Sequence, residues 1–174
     1  SMLDMHLAYL ILGAPFGVPF TLDQAYPFVR HATVAFGFPD ILFDSDDGFT
    51  RLVERHSASN ADVILGLFPA SHALSREDRV ELNDNGDVLN MILRPAESRL
   101  SYSWAIGVWK PSFTEFLHDY VTDKKTVAAQ GLELSAGHAF QAAIQAGLRV
   151  ESLVVGEEPY LDIGTPDDLH KAII

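Results

Sequence analysis

Short apolar runs alternate with helical patterns along most of this chain, and this alternation constrains the fold more than any other feature of the sequence. Strand-like runs cover residues 7–12, 62–68, 101–109 and 150–155, and helical patterns begin near residue 21 and cover 49–57, 111–121 and 135–146. Strands that alternate with helices predict a mostly parallel sheet covered by helices on both faces. We therefore expect one α/β domain over residues 3–174, with Ser1 and Met2 as the remnant of a cleaved expression tag.

One hairpin and one polar segment interrupt the alternation. The dipeptide Asn85-Gly86 predicts a tight turn between strands at 80–82 and 88–92. Residues 122–130 are polar and are typical of a linker. The hairpin adds an antiparallel pair to the predicted sheet.

The charge of the chain excludes several classes of function. Twelve Lys and Arg against 24 Asp and Glu give a formal net charge of −12, which disfavours nucleic-acid binding because phosphate contacts need cations. An anionic substrate would need a divalent cation to screen these carboxylates. The absence of cysteine excludes disulfides, thiolate zinc sites and cysteine nucleophiles. The longest apolar run, residues 7–14, is too short to span a bilayer, so we expect a cytoplasmic protein without a membrane partner.

Two aspartates are the best candidates for chemistry, because the common catalytic and phosphate-loop motifs are absent. The sequence contains no H-E-x-x-H, G-x-S-x-G, G-x-G-x-x-G or G-x-x-x-x-G-K-[ST]. Asp40 follows a strand-like segment, and Asp162 lies between a strand and a helix that begins after Thr165. Ligands gather at the carboxyl ends of strands in open α/β sheets, so both could bind one divalent ion. The residues alone leave open a plainer alternative, in which Asp40 begins a turn and Asp162 precedes a helix.

Residues 160–169, Y-L-D-I-G-T-P-D-D-L, closely resemble the W-x-D-[IT]-G-T-P-E-D-L segment of sugar-1-phosphate nucleotidyltransferases. This family includes glucose-1-phosphate thymidylyltransferases. Four other segments resemble family segments in the same order: 21–25 its G-x-A-x-A helix start, 38–43 its GD-x-x-F aspartate, 84–95 its D-x-x-G-x-V…E-K-P hairpin, and 101–109 its x-A-x-x-G-x-Y strand. These segments are spread over residues 21–169, so the resemblance extends along nearly the whole chain.

The resemblance implies a fold, a reaction and site residues. The fold is a three-layer, Rossmann-like mixed sheet of the glycosyltransferase-A type with helices on both faces. The reaction transfers a nucleotidyl group from an NTP to a sugar-1-phosphate and releases pyrophosphate. Asp40 and Asp162 would be the catalytic pair that holds Mg²⁺ against the phosphates. Gln24 would hydrogen-bond the nucleobase, Arg94 would grip the sugar phosphate, and Gly107 would contact the substrate.

The chain also departs from the family pattern. It lacks the G-x-G-x-R-x-x-P loop and the following P-K that hold the triphosphate, and the resemblance starts at about the family's third strand. Arg94 stands where the family has a lysine, and Leu93 where it has a glutamate; arginine offers a planar fork instead of a point donor. We therefore expect an N-terminally truncated fold that is inactive by itself. The alternative is a non-catalytic sugar-nucleotide-binding or oligomerising module that has lost the loop.

Missing strands would leave sheet edges without partners. Residues 7–12 would lose a neighbouring strand, and the edge near 36–40 would be uncovered. Unpaired backbone groups on apolar strands are a template for another chain. We therefore expect a homo-oligomer formed through exposed strand edges, by strand addition or segment exchange.

Overall fold

The computed structural model describes residues 6–13, 17–71, 77–129 and 133–173. The helices are α1 Val18–Asp23, α2 Tyr26–Val29, α3 Gly48–Ala58, α4 Pro111–Ala129, α5 Ala136–Gln145 and α6 Pro166–Ile173. The strands are β1 Val34–Gly37, β2 Ile41–Leu42, β3 Val63–Pro69, β4 Arg79–Leu82, β5 Val88–Ile92, β6 Tyr102–Trp109, β7 Val150–Val154 and β8 Leu161–Asp162. Within these residues, no helix is long and apolar enough to cross a membrane.

The main sheet is mixed, and the expectation of a mostly parallel sheet is wrong. Its strand order is β5-β4-β6-β3-β7, with β1 also paired to β6. β3 and β7 are parallel, whereas β6 runs antiparallel to β1, β3 and β4. The alternation with helices does make β1, β3 and β7 parallel to one another. However, β6 follows β3 through the β4–β5 hairpin, with no helix among the described residues between them, and it inserts between β1 and β3 in the opposite direction.

Helices cover both faces of this sheet, as the resemblance implied. Alternate residues of β3 point to opposite faces: Leu65 and Leu67 pack with α1, α4 and α5, whereas Ile64 and Phe68 pack on the side of α3. Leu52 of α3 is fully buried on that second side. The molecule therefore has three layers with an apolar core on each side of the sheet.

The predicted strand at residues 7–12 is not present. These residues form no strand, and Leu7, Tyr9 and Ile11 are exposed by 70%, 84% and 98%. The apolar run has the composition of a buried strand, but no strand of the described chain pairs with it. Burial therefore depends on a neighbour that the composition of the segment cannot reveal. Self-association through strand edges stays a prediction.

Two other local predictions need correction. The helix expected from residue 21 is two short helices, because Pro27 has no N–H to donate to Asp23 and its ring crowds that carbonyl. The segment predicted as a linker is helical as far as Ala129, where α4 ends, and residue 130 lies outside the described residues. Polar composition is typical of linkers and of solvent-facing helices alike, so it did not distinguish them.

A buried ion pair lies at the start of the β4–β5 hairpin. Arg79 is fully buried, and its guanidinium donates to the carboxylate of the nearly buried Glu77 and, over 2.7 Å, to the Ser71 carbonyl. The Ser71 N–H also donates to Glu77, over 3.2 Å. These contacts fix the direction in which the chain enters β4.

Removal of one member of this pair is expected to cost about 3–5 kcal/mol of unfolding free energy, because the other charge stays buried without compensation. Denaturant titration of Arg79→Met and Glu77→Gln measures the loss. Asp47→Asn, which breaks the exposed Arg51–Asp47 contact of 3.8 Å, is the control and should change stability by less than about 1 kcal/mol. Equal small losses in all three variants would show that the buried pair is not a structural requirement.

His56 is the second buried polar group with a measurable consequence. It lies on the inner face of α3 with 5% of its surface exposed, and its Nε2 has no hydrogen-bond partner among the described residues. Burial lowers the pKa of His56, and the charge of Lys110 lowers it further. The folded state therefore binds a proton at this site more weakly than the unfolded state does.

We expect the free energy of unfolding to fall as the pH drops below about 6.5, since the unfolded chain then takes up a proton that folded His56 resists. His56→Leu should remove this part of the pH dependence and leave a smaller difference in stability between neutral and mildly acidic solution. Denaturant titrations of both proteins across that range measure it. An unchanged difference in the variant would mean that another group carries the effect.

Candidate functional site

A small two-stranded sheet brings Asp40 and Asp162 together. β2 and β8 pair antiparallel with Ile41 opposite Asp162. The N–H of Ile163 donates to the Asp40 carbonyl over 2.9 Å, which extends the pairing by one step. The two aspartates are therefore neighbours across a ladder although they are distant in sequence.

Gly164 leaves the space into which both carboxylates point. The point that a Cβ on Gly164 would occupy lies 2.6 Å from Asp40 Oδ2 and 3.1 Å from Asp162 Oδ1. The Gly164 N–H also donates to Asp162 Oδ1 over 2.8 Å, which orients that carboxylate. Asp40 Oδ2 and Asp162 Oδ1 thus lie on either side of the same point beside Gly164. Their assignment to one divalent cation stays a prediction.

The donor set suits Mg²⁺. No group of three or more His, Asp or Glu residues in the described part of the chain could form an all-protein metal site. Mg²⁺ does not need one, since it usually binds one or two carboxylates together with substrate phosphates and water. Asp40 and Asp162 would hold the ion from the protein side.

Gly164→Ala is expected to abolish divalent-cation binding, because the new methyl group would displace both carboxylates. Calorimetric titration with Mg²⁺ or Mn²⁺ measures the loss. The matched control is Gly13→Ala, where nothing lies within 4 Å of the added Cβ. A Gly164→Ala protein that binds Mn²⁺ as tightly as the Gly13→Ala control would show that the ion lies elsewhere.

The aspartate pair lies at the wall of a cavity of about 300 Å³. The ends of five elements surround this cavity: the start of α1, the segment before β2, the hairpin, the start of α5 and β8. Trp104 and Ala105 of β6 complete it. Its ionisable side chains are Asp40, Asp78, Arg94, Glu133, His138, Tyr160 and Asp162.

Arg94 is the cation of this group, and its backbone conformation is unusual. It lies two residues after β5 and has φ 39°, the left-handed region that non-glycine residues seldom adopt. Its N–H donates to Asp78 Oδ1 over 3.2 Å. The structure thus places the predicted phosphate-binding arginine at the cavity, next to a carboxylate.

Sequence reasoning missed Asp78. Burial raises the pKa of its carboxyl, an effect that hydrogen bonds from the Arg94 N–H and the Trp104 indole oppose. Asp78 directly precedes β4, and Leu93 directly follows β5. Because Arg79 pairs with Ile92, the antiparallel register could have placed residue 78 beside residue 93 once the hairpin was known.

Sequence reasoning also missed His138 as a cavity residue, because its sequence pattern indicates a helix cap and not a ligand motif. It is the third residue of α5, and its Nδ1 accepts a hydrogen bond from the Ser135 N–H over 3.1 Å. The Ser135 hydroxyl lies 2.9 Å from the same nitrogen. An accepting Nδ1 places the proton of a neutral imidazole on Nε2. His138 therefore offers one N–H donor beyond its capping role.

Gln24 and Gly107 are not among the residues that line the cavity. Gln24 is exposed at the end of α1, whose first residue, Val18, does line it. Gly107 lies within β6 between Phe36 and Leu65 of the flanking strands. Their assignment to nucleobase and substrate stays a prediction.

Tyr160 supports the position of β8. Burial raises the pKa of its hydroxyl, with a further contribution from the Glu77 charge. Its ring packs edge-on against Phe68 with 5.7 Å between centroids. This contact attaches the segment that contains Asp162 to the core between α3 and the main sheet.

Comparison with solved structures shows the same fold in three enzymes. A protein assigned as a glucose-1-phosphate thymidylyltransferase from Bacillus anthracis, in complex with sucrose, matches 95% of this chain with a TM-score of 0.76 and 16% identity. The inositol-1-phosphate CTP transferase from T. maritima matches 91% with a TM-score of 0.67 and 17% identity. UDP-glucose pyrophosphorylase complexed with UDP-glucose matches 95% with a TM-score of 0.75 and 12% identity.

The comparisons confirm the fold that the resemblance implied. All three structures are sugar-phosphate nucleotidyltransferases, and the chain has their mixed α/β architecture. The chain spans 63%, 60% and 64% of their respective lengths. No protein-family model and no curated protein sequence matches it.

Proposed function

We propose that the cavity binds a sugar-1-phosphate together with Mg²⁺, as the acceptor half of a nucleotidyltransferase site. The observation that carries this proposal is the convergence of Asp40 and Asp162 beside Gly164, at a cavity that also contains Arg94. The fold shared with three sugar-phosphate nucleotidyltransferases supports it. An all-protein calcium or zinc site would need more ligands than this pair supplies.

The charges of the cavity favour joint binding of metal and phosphate. Four of its side chains are carboxylic acids, Asp40, Asp78, Glu133 and Asp162, and one is a permanent cation, Arg94. A phosphate monoester alone would meet net repulsion in such a site. A divalent ion on the aspartate pair reverses that field locally. We therefore expect sugar-phosphate affinity to depend on Mg²⁺.

Each residue of the proposed site would have a separate role in binding the metal or the phosphate. Asp40 and Asp162 would hold the ion, since Mg²⁺ usually binds one or two carboxylates together with substrate phosphates and water. When bound, Mg²⁺ supplies charge neutralisation and alignment of the reacting phosphates. Arg94 binds the sugar phosphate through charge-assisted hydrogen bonds. No strong base is required, because a phosphate nucleophile is already ionised.

The nucleotide half of the reaction rests on the resemblance. Gln24 would contact the base and Gly107 the substrate, with an NTP as donor and pyrophosphate as product. The 174 residues contain no G-x-G-x-R-x-x-P loop. The second candidate is a module that binds a sugar phosphate or sugar nucleotide and does not transfer the nucleotidyl group. Both candidates share the acceptor cavity, and an exchange assay separates them.

Calorimetric titration with glucose 1-phosphate, with and without Mg²⁺, tests the proposal. We expect binding only with Mg²⁺, a loss of metal binding in Asp40→Asn and Asp162→Asn, and about tenfold or greater weakening of sugar-phosphate binding in Arg94→Ala. Asp84→Asn, at an exposed position of the hairpin turn, is the matched control and should bind as the wild type does.

Two results would contradict the proposal. The first is metal binding that survives both aspartate substitutions. The second is sugar-phosphate binding that is equally strong in the presence of excess chelator.

A further inference from the structure

We infer that Asp78 is a positioning residue, which holds the backbone of Arg94 in its left-handed conformation and so directs the guanidinium to the phosphate of the ligand. This inference rests on the proposed function for the identity of the ligand. The contact itself is a property of the chain and can be tested without any ligand.

Arg94 needs an external support for its conformation. Among the described residues it is the one non-glycine residue with positive φ. That conformation is unfavourable for a residue that carries a Cβ. The hydrogen bond from its N–H to Asp78 Oδ1, 3.2 Å long, is of a kind that offsets such a cost, since the acceptor is a carboxylate. Pro95, the next residue, further restricts the backbone of Arg94.

Asp78 is itself held from two sides, and the Trp104 indole lies close enough to its carboxyl to lower the pKa of that group. The neighbours of Asp78 in sequence, Glu77 and Arg79, form the buried ion pair that fixes the start of β4. Gly137 of α5 leaves the space for the carboxylate, since Asp78 Oδ2 lies 2.2 Å from the point that a Cβ there would occupy. A carboxylate held this firmly can determine the position of a flexible neighbour.

The same placement explains how a third aspartate is compatible with a phosphate site. Asp78 lies against the first turn of α5, the end at which a helix favours negative charge. The Asp78 carboxylate already supplies the negative charge that this helix end favours. The phosphate of the ligand would therefore bind Arg94 and the metal instead of the helix end. Ser135 and His138 satisfy each other in the capping box of the same turn.

Three variants separate this role from a general structural one. Asp78→Asn keeps an oxygen that can accept from the Arg94 N–H. Asp78→Ala removes it. Gly137→Ala keeps the carboxylate but displaces it, together with Leu93 Cδ2, which lies 2.6 Å from the same Cβ point. Alanine has a higher helix propensity than glycine, so a loss of function at position 137 would not come from helix propensity.

The first measurement is amide hydrogen exchange of Arg94 by NMR in the protein without ligand. We expect the Arg94 amide to be protected in the wild type and in Asp78→Asn. Exchange should be about tenfold faster in Asp78→Ala and Gly137→Ala, as for the loss of one hydrogen bond. If Asp78→Ala does not fold, Asp78→Asn and Gly137→Ala still give opposite expected results.

The second measurement is a double-mutant cycle with Arg94→Ala, read as the affinity for glucose 1-phosphate in the presence of Mg²⁺. Asp78→Ala should weaken glucose 1-phosphate binding about tenfold when it is the only substitution. In the Arg94→Ala background it should weaken binding little further, and the Mg²⁺ affinity should be unchanged in both cases. Additive losses would overturn the inference, because Asp78 would then act independently of Arg94. Equal Arg94 exchange in all variants would also overturn it. Absence of sugar-phosphate binding in the wild type, with the expected exchange pattern, would instead contradict the proposed function alone.

Discussion

The pairing of β2 with β8 is the contact on which the site depends. Each strand has two residues, too few for a sheet that is stable by itself. This small sheet is supported by Tyr160, the residue before β8, which packs on Phe68 in the core between the main sheet and α3. The register that places Ile41 opposite Asp162 sets the position of one aspartate relative to the other. A slip of one residue would turn the Asp162 side chain to the other face, and Gly164 would no longer face two carboxylates.

The cavity is assembled from the ends of elements, and a buried central strand, β6, completes its lining. Trp104 of β6 lines the cavity and contacts Phe140 of α5 edge-on, with 4.9 Å between centroids. The same indole lies close enough to Asp78 to lower the pKa of its carboxyl. The proposed ligand-binding groups on short end segments therefore lie next to a rigid sheet, which would limit the freedom they lose on binding.

The sequence predicted the aspartate pair and the elements with strong local signals, and it failed where distant partners decide. The sequence placed Asp40 after a strand-like segment and Asp162 between a strand and a helix, both in recognisable motifs, so their convergence was expected. The strand expected at residues 7–12 has the right composition, but strand formation needs a partner, and none of the described strands pairs with it. Asp78 and His138 have no motif of their own. Their roles come from the hairpin register and from a helix cap, which exist only after folding.

The excess of acidic residues becomes intelligible once the metal is treated as part of the binding surface. A chain of net charge −12 repels phosphate at long range, and Arg94 alone cannot balance the carboxylates of the cavity. Under the proposed function, an ion held by Asp40 and Asp162 would change the sign of the field at the place where a phosphate would bind. Because linkage is reciprocal, the phosphate would then strengthen metal binding by the same factor. Mg²⁺ usually binds one or two carboxylates together with phosphates and water, so the ion and the sugar phosphate would each complete the proposed site for the other.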